Sequence, residues 1–275
     1  MNPLKLALVQ MELFWEQPER NLDHVQALLM AHPGADVYVL PEMFSTGFSM
    51  NPEQFAARMD GTEVQRMQAW AAQLNAAVAG SLMMQHEDGY VNRFLFVLPD
   101  GTVHYYDKKH LFSLGSEHRH YRPGNNQCTV EWRGWRIALY VCYDLRFPAW
   151  CRNISDAHLT LFTANWPDTR IAHWDILLPA RAVENQYYVA GVNRVGADGN
   201  GIAHSGHTAL YDFAGKTLLR APDGEEAVMM TELDPDALKL YRRQLPFLKD
   251  RDGFAINGLN FNTTPSGMNN KEVDF

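Results

Sequence analysis

One stretch, residues 135–148, constrains the fold of this chain more than any other part of the sequence. Three apolar residues at alternating positions, Ile137, Leu139 and Val141, show the period of a β-strand. The apolar run stops at Cys142, and the proline that ends the stretch suits the first turn of a helix. The pattern therefore predicts a strand, a sharp turn and the start of a helix, with the cysteine at the junction.

The side chain of Cys142 has two interpretations. Backbone N–H groups at a helix start point toward its sulfur, and such a position lowers the pKa of a thiol and favours a nucleophile. A buried structural cysteine is the more usual fate of an unpaired one. The three cysteines of the chain are too widely spaced for a disulfide framework: Cys128, Cys142 and Cys151. Reduced thiols are typical of the cytoplasm, where we expect this protein to reside.

Strands and helices alternate along both halves of the chain. The predicted strands cover residues 4–10, 37–40, 77–84, 90–98, 102–107, 135–141, 159–163, 187–193, 208–211, 216–220 and 228–233. The predicted helices cover residues 18–31, 62–75, 171–185 and 235–243, and Thr62 with Gln65 forms a capping-box pattern at the start of the second. Two similar mixed halves predict an α/β protein with two sheets and helices outside each.

The hydrophobic content of 46% is enough for one large core, so we expect a single domain over residues 1–250. Residues 251–275 are rich in Asn and Gly and lack periodicity. We expect this tail to be disordered or packed on a partner subunit. Residues 109–126 form a long loop, which in a compact domain is usually functional.

The charge distribution indicates the class of partner. A net charge of −8 with scattered basic residues argues against nucleic acid and against an anionic membrane surface. No apolar run approaches the length of a membrane span, and the N-terminus lacks a basic flank and a cleavage site. We therefore expect the partner to be a small molecule.

Two other kinds of site have little support. The sequence Ser205-Gly206-His207 would suit a serine hydrolase, but the chain has no G-x-S-x-G elbow, so we expect a loop there. Neither C-x-x-C nor H-E-x-x-H occurs, and four residues that could bind zinc are expected to be incidental: His118, His120, Cys128 and Cys151. We expect no metal and no cofactor.

Three chemically useful residues follow predicted strands: Glu42, Lys108 and Cys142. In layered α/β proteins ligands gather beyond the carboxyl ends of strands, so these side chains are expected to converge in one pocket. A carboxylate can take the thiol proton, the thiolate can attack an amide or nitrile carbon, and an ammonium can hold the developing oxyanion. The set therefore predicts acyl-transfer chemistry.

Three motifs carry these residues in order: L-P-E-M-F around Glu42, Y-D-K-K-H-L-F around Lys108 and V-C-Y-D-L-R-F-P around Cys142. They resemble the Glu-Lys-Cys triad motifs of the nitrilase (carbon-nitrogen hydrolase) superfamily, and the resemblance covers roughly residues 4–245. The R-A-V-E-N-Q-Y-Y-V segment at 181–189 and the Asn-Trp-Pro loop at 165–167 resemble the ω-amidase branch. The resemblance implies a four-layer α-β-β-α sandwich, commonly a homodimer, which hydrolyses linear amides.

The resemblance also implies roles for single residues. Cys142 would be the nucleophile that forms a thioester, and Glu42 would act as base and acid in turn. The Lys108 ammonium and the N–H of Tyr143 would bind the oxyanion, while Glu117 matches an additional loop carboxylate that orients Lys108 or the substrate amide. A surface glutamate is the ordinary alternative for Glu117.

Spacing alone does not separate Lys108 from its neighbour Lys109. The motif places the family lysine two residues before His110, which selects Lys108. On a strand the next residue faces the other way, so we expect Lys109 to be solvated.

The substrate side of the pocket is less constrained by the sequence. Arg146 is a candidate to bind a substrate carboxylate in a bidentate way, although an ion pair with Asp144 is an equal alternative. Three aromatic residues would close over the apolar carbons: Phe44, Phe48 and Trp166. The substrate expected is a short dicarboxylic acid monoamide, 2-oxoglutaramate or 2-oxosuccinamate, which would yield the 2-oxo acid and ammonia. Hydrolysis of an N-carbamoyl amino acid or another aliphatic amide by the same triad remains open, and a nitrile is a weaker candidate.

Overall fold

A computed structural model of the chain describes residues 1–256 and the backbone of residues 259–261. The strands in this part are β1 (Leu4–Gln10), β2 (Val37–Val39), β3 (Ala77–His86), β4 (Gly89–Val97), β5 (Val103–Asp107), β6 (Thr129–Trp132), β7 (Trp135–Val141), β8 (Leu159–Ala164), β9 (Tyr188–Asn193), β10 (Val195–Ala197), β11 (Ala203–Ser205), β12 (Ala209–Tyr211), β13 (Thr217–Arg220), β14 (Ala227–Leu233), β15 (Phe254–Ile256) and β16 (Leu259–Phe261).

The α-helices are α1 (Pro18–Ala31), α2 (Pro52–Phe55), α3 (Thr62–Leu74), α4 (Glu117–His120), α5 (Ile171–Asn185) and α6 (Pro235–Gln244). Short 3₁₀ turns cover Ser113–Gly115, Cys142–Arg146, Asp168–Arg170 and Phe247–Asp250.

Two six-stranded sheets form the centre of the molecule. The first has the strand order β14-β1-β2-β3-β4-β5 and the second β13-β12-β9-β8-β7-β6. Strands β1, β2 and β3 are parallel in the first sheet, and β7, β8 and β9 are parallel in the second. Parallel neighbours require crossover connections, and α1, α3 and α5 supply three of the four. Residues 142–158 connect β7 to β8 without an α-helix.

The layers follow from the alternation of side chains along the strands. On β1, Leu4, Leu6 and Leu8 lie in the core shared with the second sheet, whereas Ala7 and Val9 lie in the core beneath α1 and α3. Helices α5 and α6 cover the second sheet with their buried residues Trp174, Leu178, Ala182 and Leu238. The predicted α-β-β-α sandwich is confirmed.

The elements with strong periodicity are those predicted from the sequence. The helices at 18–31 and 171–185 and the strand at 135–141 are confirmed with the same bounds. The predicted capping box of α3 is wrong, since Gly61 is the N-cap residue and no side chain caps the helix. Thr62 is already helical, and Gln65 donates to the carbonyl of Asp60 at 2.9 Å.

Outside the predicted tail, three short strands were not predicted: β6, β10 and β11. The last two form an antiparallel hairpin, so Ser205 lies at a strand end rather than in a loop. Strands of three or four residues leave too little sequence for a two-residue period to be recognised.

The start of the predicted tail, residues 251–256, is ordered on the chain's own core. Phe254 and Ile256 are partly buried against the core between the sheets, and β15 pairs with β16. Arg251 donates to the carbonyl of Asn153 at 2.9 Å and to Asp156 at 2.7 Å. The remaining residues of the predicted tail, 257–258 and 262–275, lie outside the described part.

The helices of the described residues are short or amphipathic. Across that part of the chain, none combines the length and hydropathy required to cross a lipid bilayer.

Candidate active site

Strand ends carry the candidate catalytic residues to one edge of the sandwich. Strand β2 leads to Glu42, and β5 leads to Lys108. Because β4 is antiparallel to both β3 and β5, β5 runs in the same direction as β2 and β3. Strand β7 of the second sheet ends at Val141, and Cys142 follows directly. The structure thus brings the three side chains of the predicted triad together.

The Glu42 carboxylate is held by donors from both sheets. One oxygen, Oε1, accepts from Lys108 Nζ at 2.8 Å and from Asn92 Nδ2 at 2.8 Å. The other, Oε2, accepts from the backbone N–H of Asn165, which follows β8, at 2.8 Å. Three donors fix the orientation of this buried carboxylate.

Lys108 lies between two carboxylates. Its ammonium donates to Glu42 at 2.8 Å and to both oxygens of Glu117 at 3.0 and 2.9 Å, and all three side chains are buried. Burial alone would lower the pKa of Lys108, but the charges of Glu117 and Glu42 outweigh it and raise the pKa above the ordinary lysine value. The ammonium is therefore a permanent positive charge.

Glu117 lies on the one-turn helix α4 and is fully buried, so the surface alternative is wrong. Its Oε2 also accepts the N–H of Phe112 at 2.5 Å. Burial raises the pKa of Glu117, and Lys108 opposes that rise. Its contact with Lys108 is the one that the predicted role of Glu117, to orient Lys108, requires.

Asn92 was not predicted as a site residue. It lies on β4, and its Nδ2 donates to Glu42 at 2.8 Å and to Glu117 at 3.2 Å. Asn92 is fully buried. Its amide group connects the two carboxylates through these two hydrogen bonds. In the sequence, this polar residue within the apolar part of a strand was the only signal.

The turn after β7 differs from the predicted helix start. Residues Cys142–Arg146 form a single 3₁₀ turn that begins at the cysteine, and Pro148 lies in a following turn rather than in the first turn of an α-helix. Cys142 has a φ of 45°, which is unfavourable for a residue with a side chain. With this backbone conformation, Cys142 is half-buried and lines the cavity.

The expected lowering of the thiol pKa is wrong. Burial raises the pKa of Cys142 well above the ordinary value, the charge of Glu42 raises it further, and Lys108 only partly opposes this. Cys142 begins a single 3₁₀ turn and not an α-helix, and the charge with the largest effect on the thiol is the Glu42 carboxylate. The resting side chain is a neutral thiol beside a carboxylate that can accept its proton.

Asp144 connects the two catalytic loops. Its Oδ1 accepts from the N–H of His110 at 3.0 Å, and its Oδ2 accepts from the hydroxyl of Tyr106 at 2.8 Å and from the N–H of Val141 at 3.1 Å. These contacts exclude the alternative of an ion pair with Arg146. Asp144 instead fixes the Cys142 turn against the chain around Lys108.

Lys109 points away from the carboxylates. Its ammonium donates to Asn125 at 2.7 Å and lies 5.4 Å from the ring of Trp150.

Gly124 fixes the backbone at Lys108, because its N–H donates to the carbonyl of Lys108 at 2.9 Å. A Cβ at Gly124 would lie only 2.1 Å from the carbonyl oxygen of Asp107, so only glycine fits there.

A cavity of about 440 Å³ opens above Cys142. Four of the five predicted substrate-side residues line it: Tyr143, Arg146, Phe48 and Trp166. Glu42 also lines the cavity, whereas Lys108 and Glu117 are not among its lining residues. The volume is typical of small-molecule sites.

The prediction for Phe44 is wrong, because its ring packs in the core beneath α1 and α3. Met43 adopts a φ of 45°, and the N–H of Phe44 donates to the carbonyl of Ser81 at 3.1 Å. This reversal turns the ring toward Gly80, where an added Cβ would lie 3.0 Å from it. The sequence did not reveal that the chain reverses directly after Glu42.

Several lining residues were not predicted. The second arginine of the cavity, Arg170, lies at the end of the 3₁₀ turn Asp168–Arg170. A further part of the wall is formed by Trp15, Glu16, Asp198, Asn200, Ile202 and His204. Burial lowers the pKa of His204 to about 4, so this wall presents a neutral imidazole at neutral pH. No spacing rule links these segments to the nucleophile in the sequence.

Within the described residues, no group of three or more His, Cys, Asp and Glu side chains is arranged to hold a metal ion. His207, part of the serine-hydrolase alternative, contacts Asp175 at 2.9 Å and is not among the residues that line the cavity. The cavity that contains Cys142 is therefore the site whose chemistry the geometry supports. A thiol, a base and a buried cation can together carry out acyl transfer through a covalent intermediate.

Sequence comparisons agree with this chemistry. The model of a family described as carbon-nitrogen hydrolase matches residues 5–243. The omega-amidase YafV of Escherichia coli (strain K12) is 48% identical over 256 residues, which cover 93% of this chain and 100% of that protein. The 2-oxoglutaramate amidase of Paenarthrobacter nicotinovorans is 33% identical over 273 residues, which cover 93% of this chain and 92% of that protein.

A solved structure is similar over nearly the whole chain. The crystal structure of XC1258 from Xanthomonas campestris is that of a CN-hydrolase superfamily protein with an arsenic adduct in its active site. It matches with a TM-score of 0.91 and 42% sequence identity, and the match covers 94% of this chain and 100% of that chain.

Proposed function

The chain belongs to the carbon-nitrogen hydrolase family, and we propose that its reaction is that of an ω-amidase acting on a short dicarboxylic acid monoamide. It is an amidohydrolase that acts on carbon–nitrogen bonds other than peptide bonds. The substrate class is 2-oxoglutaramate or 2-oxosuccinamate, which would be converted to the 2-oxo acid and ammonia. Two relatives named omega-amidase and 2-oxoglutaramate amidase support this assignment.

One observation carries the proposal. The Cys142 thiol opens into a cavity beside the Glu42 carboxylate, and the Lys108 ammonium binds that carboxylate at 2.8 Å. A neutral thiol is a poor nucleophile, so a base in contact with it is required for attack. Of the two carboxylates that raise the pKa of the thiol, Glu42 and Glu117, Glu42 has the larger effect.

The first half of the reaction forms a thioester. Glu42 removes the thiol proton as the sulfur of Cys142 attacks the amide carbon, which gives a tetrahedral oxyanion. Glu42 then returns the proton to the amide nitrogen, the carbon–nitrogen bond breaks and ammonia leaves.

The second half of the reaction regenerates the enzyme. Glu42 takes a proton from water, the hydroxide oxygen attacks the thioester carbon, and the carbon–sulfur bond breaks. The thiolate of Cys142 recovers its proton from Glu42, and the product leaves as a carboxylic acid that ionises.

The oxyanion of both steps requires positive charge. Lys108 supplies a permanent cation, and the backbone N–H of Tyr143, the residue after the nucleophile, is the proposed second donor. Glu117 and Asn92 keep Lys108 and Glu42 in place through the contacts described above.

The far end of the cavity is proposed to bind the substrate carboxylate. Arg146 lines the cavity and lies four residues after the nucleophile, and its guanidinium stacks over Trp166 at 4.7 Å from the ring centre. A guanidinium held in this way offers its N–H edge to a carboxylate. Phe48 and Trp166 contribute apolar surface for the carbons between carboxylate and amide.

We also propose a homodimer in which α5 contributes to the interface. Helix α5 exposes Ile176 and Val183 to 65% and 50%, and the two residues lie seven positions apart on one helical face. Exposed apolar side chains in such a row are typical of subunit contacts.

The substrate assignment is tested by measuring ammonia release from a panel of amides. The panel contains 2-oxoglutaramate, succinamate, N-carbamoyl amino acids, butyramide and nitriles. We expect the highest kcat/KM for 2-oxoglutaramate. An equal or higher kcat/KM for butyramide would contradict the ω-amidase assignment and leave only a general amidase, and preference for N-carbamoyl amino acids would select the alternative.

A further inference from the structure

Two arginine side chains line the same cavity. Arg146 follows the nucleophile on the 3₁₀ turn Cys142–Arg146, and Arg170 ends the 3₁₀ turn Asp168–Arg170. Arg146 contacts His173 Nδ1 at 3.0 Å, and Arg170 reaches the hydroxyl of Thr169 only at 3.5 Å. Over the residues that the structure describes, neither guanidinium forms an ion pair with a carboxylate.

Trp166 positions both arginines. Its ring lies 4.7 Å from the guanidinium carbon of Arg146, and its indole N–H donates to the carbonyl oxygen of Arg170 at 2.8 Å. The guanidinium of Arg170 lies over the ring of Phe112 at 5.1 Å. Aromatic rings thus lie over each guanidinium, and apart from the contacts with His173 and Thr169 the N–H donors at the edges remain available.

The acidic residues of the cavity do not neutralise this charge. Glu16 accepts the hydroxyl of Ser49 at 2.5 Å, and Asp198 accepts the backbone N–H groups of Asn200 and Ile202 at 2.8 and 2.9 Å. Both carboxylates therefore already have partners in the protein, and neither forms an ion pair with Arg146 or Arg170. Although the chain has a net charge of −8, Arg146 and Arg170 remain available to bind an anionic ligand.

The positive charge of Arg170 acts on Arg146. Burial lowers the pKa of Arg146, and the positive charge of Arg170 contributes in the same direction. Two like charges that are held close together are destabilising until a shared anion lies between them.

We propose that Arg170 and Arg146 form one carboxylate-binding subsite, in which the two guanidiniums share the carboxylate of the monoamide substrate. Arg170 is thereby a specificity-determining residue, and Trp166 positions the pair. This inference rests on the proposed function, because it assigns the group that distinguishes a monoamide acid from a neutral amide.

The test compares succinamate with butyramide, which have the same chain length and differ by a carboxylate in place of a methyl group. In the Arg170→Gln enzyme, the ratio of kcat/KM for succinamate to that for butyramide should fall by about tenfold or more, mostly through KM for succinamate. Arg170→Lys keeps the charge but loses the planar fork, and should restore part of the ratio.

Arg243→Gln is the matched control, since it removes one positive charge from an exposed position on α6. We expect it to keep the wild-type ratio. An unchanged ratio in Arg170→Gln, or an equal fall in Arg243→Gln, would overturn the subsite while the wild-type preference for succinamate still supports the proposed function. A wild-type enzyme without that preference would overturn both.

Discussion

The chemistry of this site depends on a cysteine that is neutral at rest. Burial and the charge of Glu42 raise the pKa of the Cys142 thiol, and Lys108 compensates only in part. The sequence suggested the opposite direction, because a strand-to-helix junction usually offers positive potential to a thiol. Burial is the largest cause of the rise in pKa and the charge of Glu42 adds to it, and both follow from the fold.

The electrostatic account predicts an effect of Glu42→Gln on the thiol. Removing the carboxylate charge leaves the lowering influence of Lys108, so the pKa of Cys142 should fall and more thiolate should be present at neutral pH. Alkylation by iodoacetamide at pH 7 should therefore be faster in Glu42→Gln than in the wild type, although amide hydrolysis is lost.

Glu16→Gln is the matched control for this experiment, because Glu16 lines the same cavity but is not among the charges that raise the pKa of the thiol. It should alkylate as the wild type does. A pH profile of alkylation that stays at the wild-type position in Glu42→Gln would show that the carboxylate does not set the state of the thiol.

Some site residues could be predicted singly and others could not. Glu42 and Cys142 each follow a strand with a clear apolar pattern, and Lys108 follows the less apolar strand β5. A charged or nucleophilic residue at a strand end is a strong signal. Asn92 lies inside a strand, and Arg170 lies in a short turn next to exposed residues. The fold brings Asn92 and Arg170 close to the other residues of the site, and no local sequence pattern shows that proximity.

At the scale of elements, periodicity predicted long segments better than short ones. Helices α1 and α5 and strand β7 have repeated apolar positions that only one regular structure satisfies. The pairing of β14 with β1 joins residues more than two hundred positions apart, for example Leu4 with Leu233. Such a contact follows from the packing of the complete chain and not from either strand alone.

Helix α5 also carries the prediction for subunit assembly. Ile176→Asp places a charge at the centre of the proposed apolar contact, where it would be desolvated without a partner. We expect the wild type to have the mass of a dimer at micromolar concentration and Ile176→Asp to have the mass of a monomer.

Met59→Asp is the control for assembly, since Met59 is exposed to 40% and lies outside α5. It should keep the dimer mass. A monomeric wild type would remove the proposal, and a dimeric Ile176→Asp enzyme with wild-type affinity would place the interface elsewhere.

At the scale of the whole molecule, the site is assembled from both sheets. Glu42 and Lys108 come from the first sheet and Cys142 from the second, and the Asn165 N–H from the second sheet binds Glu42 at 2.8 Å. The two halves must therefore pack correctly before Glu42, the proposed base, lies beside Cys142, the proposed nucleophile. This explains why three separate motifs, spread over about a hundred residues, are needed to recognise the chemistry.

The most direct test of the central claim is the capture of the covalent intermediate on Cys142. The wild-type enzyme is mixed with 2-oxoglutaramate, quenched in acid within one turnover, and digested for mass spectrometry. We predict an acyl group on the peptide that contains Cys142, no such adduct in Cys142→Ala, and a loss of several orders of magnitude in kcat in that variant. Hydrolysis by folded Cys142→Ala at a rate near that of the wild type, or an acyl group on another residue, would contradict the account.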